Sequence, residues 1–429
     1  MANTDTRRGL MSTKEVITLD MILSRETMQC AWKTVKANDG AAGVDRKTIE
    51  QTAEHLKLHW KAVREKLLEG SYQPAAVRAV VIPKANGGSR TLGIPTVQDR
   101  LIQQALQSVM SEALDAEMSP HSYGFRPNRS AHDAVSAASG YVAQGKTWVV
   151  DIDLKSFFDQ VNHDKLMNQL SGKIADKRIL KLIGRYLRAP MRQAEGTQTK
   201  RIRGTPQGGP LSPLLANLYL APLDQELEQR GIAFVRYADD IALFVASERA
   251  ARRVLESVKT WLHKQLDLEV NDDKSGTGQS DESQLLGFRI HQGGNVSASP
   301  KALARLKERV RELWDARQSI TMTELCMQWQ RYIQGWWNYF GYANWRREVR
   351  SLSGWIRRHM RKYFWLRWHS RQGRRNALYR LGIRGRALGV AGCRKGAWPM
   401  ARHVTVQQAL KTKRLNQNGF VLPWELAGG

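Results

Sequence analysis

Between residues 20 and 70, apolar positions recur at helical spacing on both sides of a Gly-rich break, Asn38-Asp39-Gly40-Ala41-Ala42-Gly43-Val44-Asp45. The pattern predicts helices joined by a loop. A change of period follows. Val77 to Pro83 is extended and β-branched, Asn86-Gly87 is a strong turn dipeptide, and Arg90 to Pro95 runs back, which together predict a hairpin. Leu101, Ile102, Ala105, Leu106, Val109 and Met110 return to helical spacing. Residues 148–154 read as a short apolar strand ending in acids, 164–188 as one helical stretch, and Phe234 to Val245 as a second hairpin around Ala238-Asp239-Asp240. Beyond Pro300 the pattern is helical, basic and aromatic, and Pro399 with its neighbouring glycines predicts a looser final segment.

Charge sharpens this division. The chain of 429 residues carries a formal charge of +27, yet residues 301–429 hold 27 Lys/Arg against 6 Asp/Glu, so most of the excess lies in the last third. That third also holds 10 of the 14 tryptophans. Cations interleaved with flat aromatic rings suit a polyanion with stackable bases, which makes nucleic acid the expected partner. Three dispersed cysteines, Cys30, Cys326 and Cys393, cannot build a disulfide framework or a four-cysteine zinc site. No apolar run approaches 18 residues, and neither G-x-x-x-x-G-K-[ST] nor G-x-S-x-G occurs. The expectation is a soluble protein of a reducing compartment, neither a P-loop ATPase nor a serine hydrolase.

The acids give the chemistry. In Trp148-Val149-Val150-Asp151-Ile152-Asp153-Leu154 the period of two puts Asp151 and Asp153 on one strand face where the apolar run stops. Tyr237-Ala238-Asp239-Asp240 sets two more carboxylates at a hairpin tip. Alone, an Asp-x-Asp is usually a solvated strand end and an Asp-Asp a turn. Two such clusters, each after a buried β-run, need a cation to offset their repulsion, and Mg²⁺ is the natural partner of hard oxygen ligands. A metal pair on such carboxylates clamps the attacking and leaving oxygens of phosphoryl transfer.

These segments resemble reverse transcriptases. Tyr237-Ala238-Asp239-Asp240 is similar to their Y-x-D-D signature, and Asp153-Leu154-Lys155-Ser156-Phe157-Phe158-Asp159 to their first catalytic strand. The run from Gly204-Thr205-Pro206-Gln207-Gly208-Gly209-Pro210-Leu211-Ser212 to Asn217 resembles the group II intron-encoded branch, and Ser122-Tyr123-Gly124-Phe125-Arg126-Pro127 and Leu285-Leu286-Gly287-Phe288 match further blocks in order. The resemblance implies an α+β, right-hand polymerase with fingers, a ferredoxin-like palm, a helical thumb (maturase) and a small C-terminal DNA-binding segment. Its divisions fall at 1–75 (N-terminal extension with a template-covering loop), 76–300 (fingers and palm), 301–370 (thumb and maturase) and 371–429 (DNA-binding segment).

By the same resemblance, Asp153, Asp239 and Asp240 are catalytic and, with the carbonyl of Leu154, hold two Mg²⁺ ions, for which Mn²⁺ can substitute. Asp153 is preferred to Asp151 because an aromatic, Phe158, follows it by five positions and serves as a steric gate against ribonucleotides. Phe157 and Phe158, read as neighbours on a strand, face opposite ways, so one of them is core. Lys84 and Arg90 grip the incoming deoxynucleoside triphosphate, Gln207 underlies the nascent pair, and Lys274 lies near the departing pyrophosphate. Arg126, Arg129, Gly208, Gly287, Arg346, Arg357 and Arg358 contact template and primer, with Arg347 and Arg361 on the same phosphate-facing side. The implied activity is RNA-directed DNA synthesis for intron mobility, with intron RNA bound to assist splicing and target DNA as a further partner. A bacterial, cytoplasmic location without membrane attachment is implied. No residues remain for the Cys/His-bearing endonuclease domain of many relatives, which implies priming from an existing DNA 3′ end. Two other functions are compatible with the same residues: a domesticated enzyme of DNA repair or phage defence, and an RNA-binding splicing cofactor without polymerisation.

Overall fold

The computed structural model describes residues 17–83, 87–343 and 345–428 and divides into two compact units, residues 17–141 with 145–279, and residues 142–144 with 280–428. In the first unit, the apolar stripes of α1 (Leu19–Ile22), α2 (Arg25–Ala37) and α3 (Ile49–Leu68) close on α4 (Val97–Leu114), all four contributing to one core. Thr48 caps α3 in a reciprocal capping box with Gln51, and Thr96 caps α4 by accepting from Asp99 N at 3.1 Å. The expected hairpin forms from β1 (Val77–Pro83) and β2 (Ser89–Ile94), paired Pro83 to Ser89. The short strands β4 (Met191–Arg192) and β5 (Gln198–Thr199) extend this sheet in the order β2-β1-β4-β5.

The second sheet is built from β3 (Trp148–Ile152), β6 (Ala233–Tyr237), β7 (Asp240–Val245) and β8 (Gly276–Gln279), in the order β6-β7-β3-β8 with antiparallel pairs throughout. Helix α9 (Ser212–Gln229) ends the long connection from β3 to β6, and α10 (Glu248–Leu266) connects β7 to β8. This β-α-β-β-α-β order is the ferredoxin-like arrangement that the resemblance implies. Val150, Ile152, Ile241 and Leu243 pack on one side with Leu214, Leu218 and Leu223 of α9 and Leu255, Val258 and Leu262 of α10. Such strands cannot slip register by one residue without carrying these side chains out of the core.

After α5 (Ala131–Ala143) and the short α6 (Phe157–Gln160), the helical stretch expected over 164–188 forms as two helices, α7 (His163–Lys173) and α8 (Lys177–Arg188). Asp176 makes the break. It accepts from Arg178 N at 2.9 Å, from Leu19 N at 2.9 Å and from the Arg178 guanidinium at 2.7 Å, so it caps α8 while tying the start of α1 to it. The second unit holds a small hairpin, β9 (Phe288–Ile290) with β10 (Val296–Ala298), and the helices α11 (Pro300–Leu313), α12 (Met322–Phe340), α13 (Arg346–Arg367) and α14 (Arg371–Arg380). Five of its tryptophans, Trp314, Trp329, Trp336, Trp345 and Trp365, are buried. The final segment is not loose. Val421 O accepts from Trp329 Nε1 at 2.8 Å and Trp424 N donates to Ser353 Oγ at 2.9 Å, which seats it on α12 and α13. No helix among the described residues is long and apolar enough to cross a membrane.

The Arg178 guanidinium holds the Asp176 carboxyl down at about 2, below its ordinary 3.8. Because the folded value lies below the unfolded one, the stabilisation is complete above about pH 4 and is lost as the pH falls through about 2. Asp176→Asn is expected to lower unfolding stability by about 1–2 kcal/mol at pH 7, after allowance for the half-exposed arginine. Urea denaturation should show this difference closing toward the acid end.

Candidate active site

The β-sheet register brings the acids together. Ile152 pairs with Ile241 at the end of the β3–β7 ladder, so one step further on Asp153 comes alongside Asp240. Tyr237 pairs with Asp240 across a two-residue turn, Ala238-Asp239, in which Ala238 takes a positive φ of 58°. Asp153 is fixed through its backbone. Its N–H donates to Ser275 Oγ at 2.9 Å and its carbonyl accepts from Asn271 N at 2.8 Å. That turn also presents Lys274, whose Nζ lies 3.6 Å from Asp153 Oδ1. Leu154 is buried and bridges to Val270.

Burial pushes the Asp239 carboxyl up from its ordinary value, with the negative charge of Asp153 adding to it. Burial, then Asp239, then Asp153 push Asp240 up to about 6 against the opposing pull of Lys274. Asp153 thus raises the cost of charging both Asp239 and Asp240, and Asp239 that of charging Asp240. Among the described residues no group of three or more His, Cys, Asp or Glu side chains is placed so that it could hold a metal ion by itself.

Asp239 and Asp240 border a cavity of about 630 Å³ that is also lined by Arg90, Phe158, Gln207, Gly208 and Arg100. Phe157 and Phe158 lie on a helical turn, α6 (Phe157–Gln160), not on a strand as expected, and the difference between them comes from that turn. Phe157 enters the core, while Phe158 is half-buried at the cavity. The Phe158 carbonyl accepts from Thr205 N at 2.7 Å, which ties the gate candidate to the turn leading into Gln207. Gln207 Oε1 accepts from Arg90 Nε, and Gln207 O accepts from Gly93 N at 2.8 Å. Gly208 has a φ of 130°, and a side chain there would meet the Gly93 carbonyl, so only glycine lets this backbone lie on β2. Arg100 donates to the carbonyls of Gly40 and Ala41 at 3.2 and 2.9 Å, which anchors the Gly-rich loop at the cavity's rim. Lys84 lies outside the described residues.

Several expected template contacts are placed otherwise. Arg126 is buried: its Nε donates to Asp115 Oδ1 at 2.7 Å, its Nη1 to the carbonyls of Ser119 and Ser122, and its Nη2 to Asp115 O at 2.9 Å. It cross-links its own loop and is not available to template phosphates. Arg129 remains half-exposed over the Tyr123 ring. In the second unit, Gly287 lies beside the Phe340 ring. Arg346 and Arg347 are exposed, but Arg358 is only half-exposed and Arg357 donates to Thr412 Oγ1 at 2.9 Å. Arg361 is buried against Leu410 O at 3.2 Å, and burial lowers it to about 10. Arg357 and Arg361 sit one turn apart on the α13 stripe that the C-terminal segment covers, so neither serves as a freely phosphate-facing group. Ser275 and Thr205, which fix Asp153 and Phe158, were not foreseen; each acts through one backbone bond to a distant segment.

A ferredoxin-like sheet with acids at adjoining strand ends, beside a cavity walled by a ring and a cation, defines a template-directed polymerase of the reverse transcriptase class. Residues 82–290 match the model of reverse transcriptases (RNA-dependent DNA polymerases), and residues 303–382 match that of the group II intron maturase-specific domain. Protein YkfC of Escherichia coli (strain K12) is 32% identical over 297 residues, covering 60% of this chain and 78% of that protein. The group II intron-encoded protein LtrA of Lactococcus lactis subsp. cremoris is 27% identical over 353 residues, covering 66% of this chain and 58% of LtrA. Telomerase from Candida albicans, solved with a fragment of telomeric RNA, is 13% identical with a TM-score of 0.44, covering 71% of this chain and 62% of that one. The chain belongs to the group II intron-encoded reverse transcriptase and maturase family. It spans most of YkfC and little more than half of LtrA.

The placement of the arginines is testable by salt dependence. Arg126→Ala is expected to lower stability by about 2–3 kcal/mol and leave the log–log salt slope of RNA binding unchanged. Arg346→Gln with Arg347→Gln is expected to reduce that slope by about two at unchanged melting temperature. A reduced slope in Arg126→Ala would return that residue to the template surface.

Proposed function

We propose that this protein copies RNA into DNA for the mobility of a group II intron and binds the intron RNA to assist its splicing. One observation carries the polymerase reading: the β3–β7 register sets Asp153 alongside Asp240 with Asp239 in the adjoining turn, and Asp239 and Asp240 border a cavity that Phe158, Gln207 and Arg90 also line. The roles follow from the side chains. Asp153, Asp239 and Asp240, with the Leu154 carbonyl, hold two Mg²⁺ ions, which when bound stabilise the attacking and leaving oxygens of nucleotidyl transfer. Arg90, oriented by Gln207, and Lys84 bind the triphosphate, since guanidinium and ammonium groups pair with phosphate oxygens. Gln207 and Gly208 support the nascent base pair through a backbone seated on β2. The Phe158 ring excludes a ribose 2′-hydroxyl. Lys274 supplies a cation where pyrophosphate leaves. No protein nucleophile is required, because positioning and electrostatics carry phosphoryl transfer. The basic second unit, with Gly287, Arg129 of the first unit and the exposed Arg346 and Arg347, contacts template, primer and intron RNA through phosphates, and target DNA is the further partner.

Primer extension on an RNA template separates synthesis from binding. Asp239→Asn is expected to reduce synthesis by about a thousandfold or more while RNA affinity stays within about twofold. Equal loss of both would assign the acids to structure. Phe158→Ala is expected to raise ribonucleotide incorporation relative to deoxynucleotide by about 10- to 100-fold, read by single-nucleotide extension with each sugar. Unchanged sugar selectivity would discard the gate.

A further inference from the structure

A buried charge cluster lies inside the apolar palm, beneath the turn that carries Asp239 and Asp240. Arg236 of β6 and Asp224 of α9 are each 1% exposed. The guanidinium grips the carboxylate at two points, Nε to Oδ1 at 2.7 Å and Nη2 to Oδ2 at 2.6 Å. Its remaining nitrogen, Nη1, donates to Asn217 Oδ1 at 2.8 Å and to the Ala238 carbonyl at 3.1 Å. Asn217 in turn donates through Nδ2 to the Gly124 carbonyl at 2.7 Å. Gly124 lies so close beneath the turn that a Cβ would fall 2.5 Å from Ala238 N. The strand backbone is fastened to the same loop, Arg236 N donating to His121 O at 2.9 Å and Tyr123 N to Arg236 O at 2.8 Å.

A buried ion pair is weak evidence for stability, because apolar residues of similar volume fill a core as well without desolvating two charges. What apolar residues could not do is hold the Ala238 carbonyl. Ala238 has a positive φ, a conformation that an L-residue keeps only when its surroundings over-determine it. The arginine fork meets this need. It is planar, it is oriented by Asp224 and Asn217, and it presents a donor to the one carbonyl whose orientation sets the direction of the two residues that follow. Lysine has the charge but not the fork.

We propose that Arg236 is a positioning residue of the active site: braced by Asp224 and Asn217, it holds the Ala238 carbonyl and so sets the turn that presents Asp239 and Asp240. The proposal rests on reading those two acids as the catalytic pair. Its test uses the full chain. Arg236→Lys is expected to lower kcat of primer extension by about a hundredfold while KM for deoxynucleotides and RNA affinity stay within about twofold. Amide hydrogen exchange in the peptide spanning Ala238–Asp240 is expected to accelerate by about tenfold or more, with the remainder of the sheet unchanged. Asn217→Ala, which leaves the ion pair whole, should show both signals at smaller amplitude and decides the matter if Arg236→Lys does not fold. A folded variant lacking either signal overturns the proposal. So does one in which kcat, RNA affinity and melting temperature fall in step, since the cluster would then only hold the fold. The exchange measurement needs no catalysis. A wild-type chain that extends no primer would sink the polymerase reading and leave the exchange comparison to judge this one.

Discussion

Three carboxylates at neighbouring strand ends repel one another, and the palm is built so that they cannot move apart. The β3–β7 register sets Asp153 beside Asp240, and the two-residue turn sets Asp239 next to it. Val150, Ile152, Ile241 and Leu243, packed with α9 and α10 in one core, keep that register from slipping. The cost is visible in Asp240, pushed up to about 6 by burial and by its two acidic neighbours. Concentrated negative potential of this kind is stable only with a partner of opposite charge. Here Lys274 supplies a partial one, its Nζ 3.6 Å from Asp153 Oδ1.

The cavity beside these acids gains its shape from backbone bonds more than from side chains. Thr205 N holds the Phe158 carbonyl, Gly93 N holds the Gln207 carbonyl, and Arg100 holds two carbonyls of the Gly-rich loop. Phe158, Gln207 and the Gly-rich loop are each fastened to a different element, so the cavity's dimensions follow from the fold. In the second unit, five buried tryptophans and the buried Arg361 pack around α13, while Arg346 and Arg347 at its start stay exposed.

Much of this was legible in the chain itself. Apolar runs ending in acids and the Asn86-Gly87 turn pointed to the strands and the carboxylates, and the ordered blocks that resemble reverse transcriptases implied the α+β architecture. What was not legible depends on contacts distant in sequence. Nothing local distinguishes Arg126, which cross-links its own loop, from Arg129, which stays at the surface. Arg361 reads as one cation among many on α13 until the C-terminal segment folds over that stripe. Arg236 and Asp224 are 12 residues apart across a helix end and a strand, a spacing that no periodic pattern ranks. The helix break at Asp176 was the exception, since an aspartate followed by an amphipathic run is a capping signal that helical periodicity overrode.

The central claim is that the strand-end acids form a divalent-metal site completed by substrate, and counting bound Mn²⁺ tests it most directly. Electron paramagnetic resonance on the full chain with an RNA template, a terminated primer and a deoxynucleotide should show about two bound Mn²⁺ ions per chain. Asp153→Asn should reduce that number while leaving template binding intact. Equal Mn²⁺ binding by the wild type and by Asp153→Asn would contradict the account.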